Sequence, residues 1–104
     1  MEILHIKHYI DGIGILEMKI LKIKKDQFHP EGIKYSLTFA REREGGNFEG
    51  DFVRYDNYNK EGHHKHIKGK KYRYEFLDID TLILDFKTDV INALREEGIE
   101  IDIF

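Results

Sequence analysis

Hydrophobic periodicity switches from that of strands to that of a helix late in this chain, and that change constrains the fold more than any other feature. Through most of the first 77 residues apolar positions recur every second residue. From Ile79 onward they recur at helical spacing. Ile79, Leu82, Ile83, Phe86, Val90, Ile91 and Leu94 form a stripe along one helix face. Asp78 is placed as the N-cap, where its carboxylate accepts orphan amide hydrogens and favours the positive dipole end. Gly98 is placed to end the helix in a left-handed cap. Strands first and one helix last predict an α+β fold. Its sheet is mainly antiparallel, with about five to six strands, and the long C-terminal amphipathic helix packs on it.

The alternation predicts strands over 2–10, 13–24, 33–41, 51–57, 63–68 and 72–77. Asp11-Gly12 is a hairpin signal between the first two. Loops are expected at 26–32, which holds the only proline, Pro30, and at 42–50, which holds Gly45-Gly46. A polar turn is expected over 57–62, and Gly69 breaks the chain again. Beyond the helix, Ile99, Ile101 and Ile103 alternate with Glu100 and Asp102. They predict a short terminal strand that could extend the sheet edge or pair between subunits, so a homo-oligomer is compatible with the sequence. The Ile-rich hairpin of the first two strands is the expected partner of the helix stripe.

With 104 residues, 40% of them hydrophobic, the chain fits a single domain over 1–104. There is no cysteine, which excludes a disulfide framework, a thiolate zinc site and a cysteine nucleophile. No apolar run approaches the roughly 20 residues of a membrane-spanning helix. The start, MEILHIKHYI, lacks the apolar core of a signal peptide. The expectation is a soluble cytoplasmic protein with no membrane association.

The net charge of −3 is an average over unlike regions. Residues 54–74 carry a net +5, and residues 75–104 a net −7. Three of the six histidines, His63, His64 and His66, lie inside the basic segment. On a strand, His64 and His66 share one face, roughly 6.5–7 Å apart along the chain, while His63, Lys65 and Ile67 take the other. One imidazole could then accept a proton while the other donates one, as acid–base phosphodiester cleavage requires. A hairpin between 51–57 and 63–68 would bring Arg54 and Asp56 beside them. Asp56 would orient one ring, and Arg54 and Lys65 would hold a phosphate. Asn57 and Lys60, in the same segment, are further candidate substrate-binding residues. Tyr55 and Tyr74 flank it and could contact a base, although such aromatics more often pack between strands.

Two other readings compete. His64, His66 and Asp56 could supply three ligands to a metal ion, with water in the fourth position. The surrounding lysines disfavour that reading, and no cofactor is expected. Alternatively the basic hairpin 54–73 could bind nucleic acid, or a partner protein, without catalysis. His5 and His8 fall on opposite faces of the first strand, as a surface and a core residue rather than a pair. His29 reads as a loop residue.

The central motif also carries a resemblance. Arg54-Tyr55-Asp56-Asn57, Lys60, Gly62-His63-His64-Lys65-His66, Gly69 and Tyr74-Glu75-Phe76 precede a helix with Asp85-Phe86 and Asp89-Val90. Asp11-Gly12 and Glu17-Met18 stand ahead of them. This pattern resembles the TumE-type toxins of prokaryotic type II toxin–antitoxin systems, from about residue 8 to about residue 94. His64 and His66 match the family pattern better than His63, where relatives often carry an acidic residue. The resemblance implies a growth-inhibiting toxin encoded beside a helix-turn-helix antitoxin. RNA as a substrate follows from the residues and from the habits of such toxins, not from the resemblance alone.

Overall fold

The computed structural model describes residues 1–58 and 60–102. Six strands and one helix follow in chain order: β1 (Glu2–Ile10), β2 (Gly14–Lys22), β3 (Ile33–Glu42), β4 (Phe48–Asp56), β5 (His64–Ile67), β6 (Lys70–Arg73) and α1 (Ile79–Arg95). The strands form one antiparallel meander in the order β1-β2-β3-β4-β5-β6. The α+β architecture expected from the change of period is therefore what the chain adopts.

Alternation sorts the sheet into two unlike faces. On one face, Met18 stands opposite Leu37, Leu37 opposite Tyr55, and Leu16 opposite Phe39. These residues are buried together with Ile20, Tyr35, Phe52 and Val53. Against them α1 sets Leu82, Phe86, Val90, Ala93 and Leu94. Each large apolar side chain taken fully out of water contributes about 1.5–3 kcal/mol, so this layer holds the fold together. Among the described residues, the opposite face carries no helix. There Glu17 faces Thr38, Thr38 faces Arg54, and Ser36 faces Asp56.

The helix ends obey their capping residues. The Asp78 side chain accepts a hydrogen bond from the Thr81 amide at 2.7 Å. Gly98 has φ +77°, and its amide donates to the Arg95 carbonyl while that of Ile99 donates to Leu94. That is the Schellman arrangement, open to glycine because it has no Cβ.

Several boundaries differ from expectation. β2 ends at Lys22 rather than 24. β4 begins at Phe48, inside the expected loop, after a single short turn of 3₁₀ helix at Glu44–Gly46. β6 spans Lys70–Arg73, earlier than 72–77. Residues 99–102 form no strand, and Ile103 lies outside the described residues. Ile99 and Ile101 instead pack against the core as the chain leaves α1.

The helix also lies closest to β4 rather than over the β1–β2 hairpin. Residues 74–78 are too short a connection to carry it across the sheet, so it folds back over the strands near β6. The far edge stays uncovered: Ile3 and Ile6 are 44% and 41% exposed, and His8 is exposed rather than in the core. Among the described residues, no helix is long and apolar enough to cross a membrane.

Candidate acid–base site

The site is built on the helix-free face by one register. Across the β4–β5 ladder, Arg54 stands opposite His66 and Asp56 opposite His64. Directly opposite residues share a face, so four chemically active side chains converge without a loop to position them. Beyond β5, Lys71 stands opposite His66. Beyond β4, Ser36 stands opposite Asp56. Together with Tyr58 and Glu61 these residues line an open pocket of ≈ 390 Å³.

The two histidines differ in their bonding. His64 is buried. Its Nε2 lies 3.0 Å from Asp56 Oδ1, and its Nδ1 lies 3.1 Å from the Gly62 carbonyl. Both ring nitrogens therefore face acceptors, and a ring bearing two N–H groups satisfies both. His66 has the opposite partner. Arg54 Nη2 donates to its Nε2 at 3.0 Å, which requires that nitrogen to carry a lone pair. Burial, then the Arg54 guanidinium, hold the pKa of His66 below the ordinary histidine value; His64 acts in the same direction. The rings pack edge to face with centroids 5.4 Å apart. One ring thus faces two acceptors and its neighbour faces a donor.

Arg54 keeps one donor unsatisfied. Its Nε lies 3.5 Å from both Asp51 Oδ1 and Asp56 Oδ2, yet makes no hydrogen bond although it is buried. A buried N–H donor without an acceptor is costly, and an anionic ligand would relieve it. Lys71 meets Glu61 at 2.5 Å, and that contact holds the Glu61 carboxyl below its usual range.

Other sequence-proposed residues stand elsewhere. The alternation that pairs His64 with His66 turns Lys65 to the helix side. There its Nζ lies 3.0 Å from Asp89 Oδ2. The buried Tyr55 hydroxyl donates to the same carboxylate oxygen. Tyr74 Oη donates to Asp85 Oδ2 at 2.6 Å. Lys65, Tyr55 and Tyr74 thus tie α1 to the sheet and do not reach the pocket.

Asn57 is 1% exposed and serves the backbone. Its Oδ1 accepts from the Tyr35 amide, and its Nδ2 donates to the Ile33 carbonyl. Lys60 is exposed, with its Nζ 5.7 Å from the Phe28 ring centroid. His63 stacks on Phe76 at 4.9 Å and bonds Tyr35 Oη and Glu31. His29 is more than a loop residue: it is buried and reaches the Asn57 carbonyl at 3.1 Å.

Lys71, Ser36, Tyr58 and Glu61 were not expected in the pocket. For Lys71 a signal exists. Lys68 and Gly69 have φ of 51° and 81°, as a two-residue primed hairpin turn requires. Such a turn at Lys68-Gly69 sets Ile67 opposite Lys70, and therefore His66 opposite Lys71. Among the described residues, no three His, Asp or Glu side chains form a group that could hold a metal ion.

A family model described as Toxin TumE matches residues 4–94, which span the sheet except for the first two residues of β1, and α1 except for its last residue. The chain belongs to the TumE toxin family. It is accordingly a toxin of the toxin–antitoxin kind, and the family implies an antitoxin partner. No curated protein and no solved structure matches it. The pocket lies wholly within the TumE match.

Proposed function

We propose that this TumE-family toxin acts on RNA in the cytoplasm by metal-independent acid–base cleavage. The observation that carries the reading is the unequal pair: His66 accepting from Arg54, and His64 facing two acceptors, on one open face. His66 Nε2 is the base. When a phosphate draws Arg54 away, that nitrogen is free to take the proton of a ribose 2′-hydroxyl. The 2′-oxygen attacks the adjacent phosphorus, and the bond to the 5′-oxygen breaks. His64 releases the Gly62 carbonyl and gives its Nδ1 proton to the leaving oxygen, while its Nε2 stays with Asp56. The products are a 2′,3′-cyclic phosphate and a 5′-hydroxyl, so atoms and charge balance.

Asp56 positions His64 through its 3.0 Å contact. Arg54 and Lys71 stabilise charge on the phosphoryl oxygens. The partner in this reading is a helix-turn-helix antitoxin that covers the basic segment and silences the pocket. Induced expression tests the proposal. Wild type should arrest growth of a bacterial host, while His64→Ala and His66→Ala should not. Equal arrest by all three would remove the histidines from the mechanism and favour a basic binding surface without catalysis. The metal-dependent alternative has weaker support, because Arg54 and Lys71 stand beside both histidines and would repel a cation.

A further inference from the structure

We propose that the helix-free face is a track for single-stranded RNA that crosses the strands through the pocket, with Lys7, Lys19 and Arg73 as phosphate contacts outside it. The inference rests on the RNA reading above and adds the path of the substrate.

Register lays the track out. Lys19 stands opposite Ser36, Ser36 opposite Asp56, Asp56 opposite His64, and His64 opposite Arg73. One row over, Lys7 stands opposite Glu17, Glu17 opposite Thr38, Thr38 opposite Arg54, and Arg54 opposite His66. Residues paired in this way point to the same side, so two polar rows cross the sheet side by side. Between β2, which carries Lys19, and the pocket residues on β4 and β5, strand β3 presents the short side chains of Ser36 and Thr38. A backbone can lie close to the sheet there.

Charge on the track is available. Among the described residues, Lys7, Lys19 and Arg73 have no carboxylate within ion-pair distance, whereas Lys65, Lys68 and Lys71 each have one. The one carboxylate between Lys7 and the pocket, Glu17, is bonded to His5 at 2.9 Å. Lys19 is three strands from His64, about 14 Å at ordinary strand spacing. It is too far to touch the phosphate being cleaved and instead meets one further along the chain. Lys7 sits one strand beyond. A positively charged path that follows a backbone is how proteins hold single strands. A duplex does not suit the site, because attack by a 2′-hydroxyl in line with the leaving oxygen needs a backbone free to rotate.

Fluorescence anisotropy tests the track separately from cleavage. The probe is a short unstructured RNA oligonucleotide, and the background is His64→Ala/His66→Ala, so that no cleavage intervenes. Adding Lys7→Ala/Lys19→Ala should weaken binding about tenfold and lower the slope of log affinity against log salt by about 1.4, for two lost phosphate contacts. Lys7→Arg/Lys19→Arg should retain both. Unchanged affinity and slope in the alanine variant would overturn the track, as would equal affinity for a duplex of the same sequence. A protein that binds RNA through Lys7 and Lys19 but never cleaves it would overturn the acid–base reading and leave the track standing.

Discussion

Arg54 Nη2 donates a hydrogen bond to His66 Nε2 at 3.0 Å, straight across the β4–β5 ladder. Burial holds the pKa of His66 below the ordinary histidine value, and the adjacent Arg54 cation acts in the same direction. Arg54→Met should therefore raise the pKa of His66 toward about 6.5. An NMR pH titration of the histidine ring protons reads this directly. If His66 is the base, the acidic limb of the activity profile moves to higher pH in the same variant.

The depressed pKa also carries a stability sign. In the window between the folded value and about pH 6.5, the unfolded chain binds a proton that folded His66 refuses. The unfolded state holds more protons there, so stability rises with pH and falls on acidification. Urea midpoints measured through this window should fall less steeply in His66→Asn than in the wild type.

Asp56 lies 3.0 Å from His64 and sits outside the hydrophobic layer, so its replacement should separate chemistry from folding. Asp56→Asn is expected to lower kcat about 10²-fold or more while leaving KM nearly unchanged, since the ring loses its orienting charge but not its space. Circular dichroism checks that the fold survives. A change confined to KM would assign Asp56 to binding instead.

The Lys65–Asp89–Tyr55 cluster predicts the reverse pattern. Asp89→Ala leaves the buried Tyr55 hydroxyl without its acceptor and should destabilise by about 1–3 kcal/mol. Lys65→Met should retain cleavage per folded molecule, because Lys65 Nζ is directed at Asp89 and away from the pocket. Denaturant unfolding and activity assays on the same preparations distinguish the two roles.

Gly14 gives a test of the sheet itself. A Cβ there would lie 2.4 Å from the Ala40 carbonyl oxygen and 2.8 Å from the Phe39 ring. Backbone cannot yield as a side-chain tip can. Gly14→Ala should cost about 2 kcal/mol or more, seen as a lower urea midpoint.

Much of this is legible in the sequence. Period-two alternation placed His64 and His66 together, and the polar turn before them implied the hairpin that brings Arg54 and Asp56 across. The helix followed from its stripe and from Asp78 and Gly98. Tertiary partners were less legible. Nothing local in Tyr55 or Tyr74 distinguishes a ring that could stack on a base from one whose hydroxyl anchors a helix. That choice is made by Asp89 and Asp85, which arrive from α1. Asn57 looks like a site residue until Tyr35 and Ile33, distant in sequence, use both ends of its amide. Lys71 is only weakly signalled by Gly69, because its place also depends on the positive φ of Lys68, a residue type that rarely takes that conformation.

The most direct test of the acid–base account is end-group analysis of RNA incubated with purified protein and a chelator. The account predicts fragments ending in a 2′,3′-cyclic phosphate and beginning with a 5′-hydroxyl, formed by wild type and lost in both His64→Ala and His66→Ala. Cleavage that stops when the chelator is added, or that continues unchanged without either histidine, would contradict it.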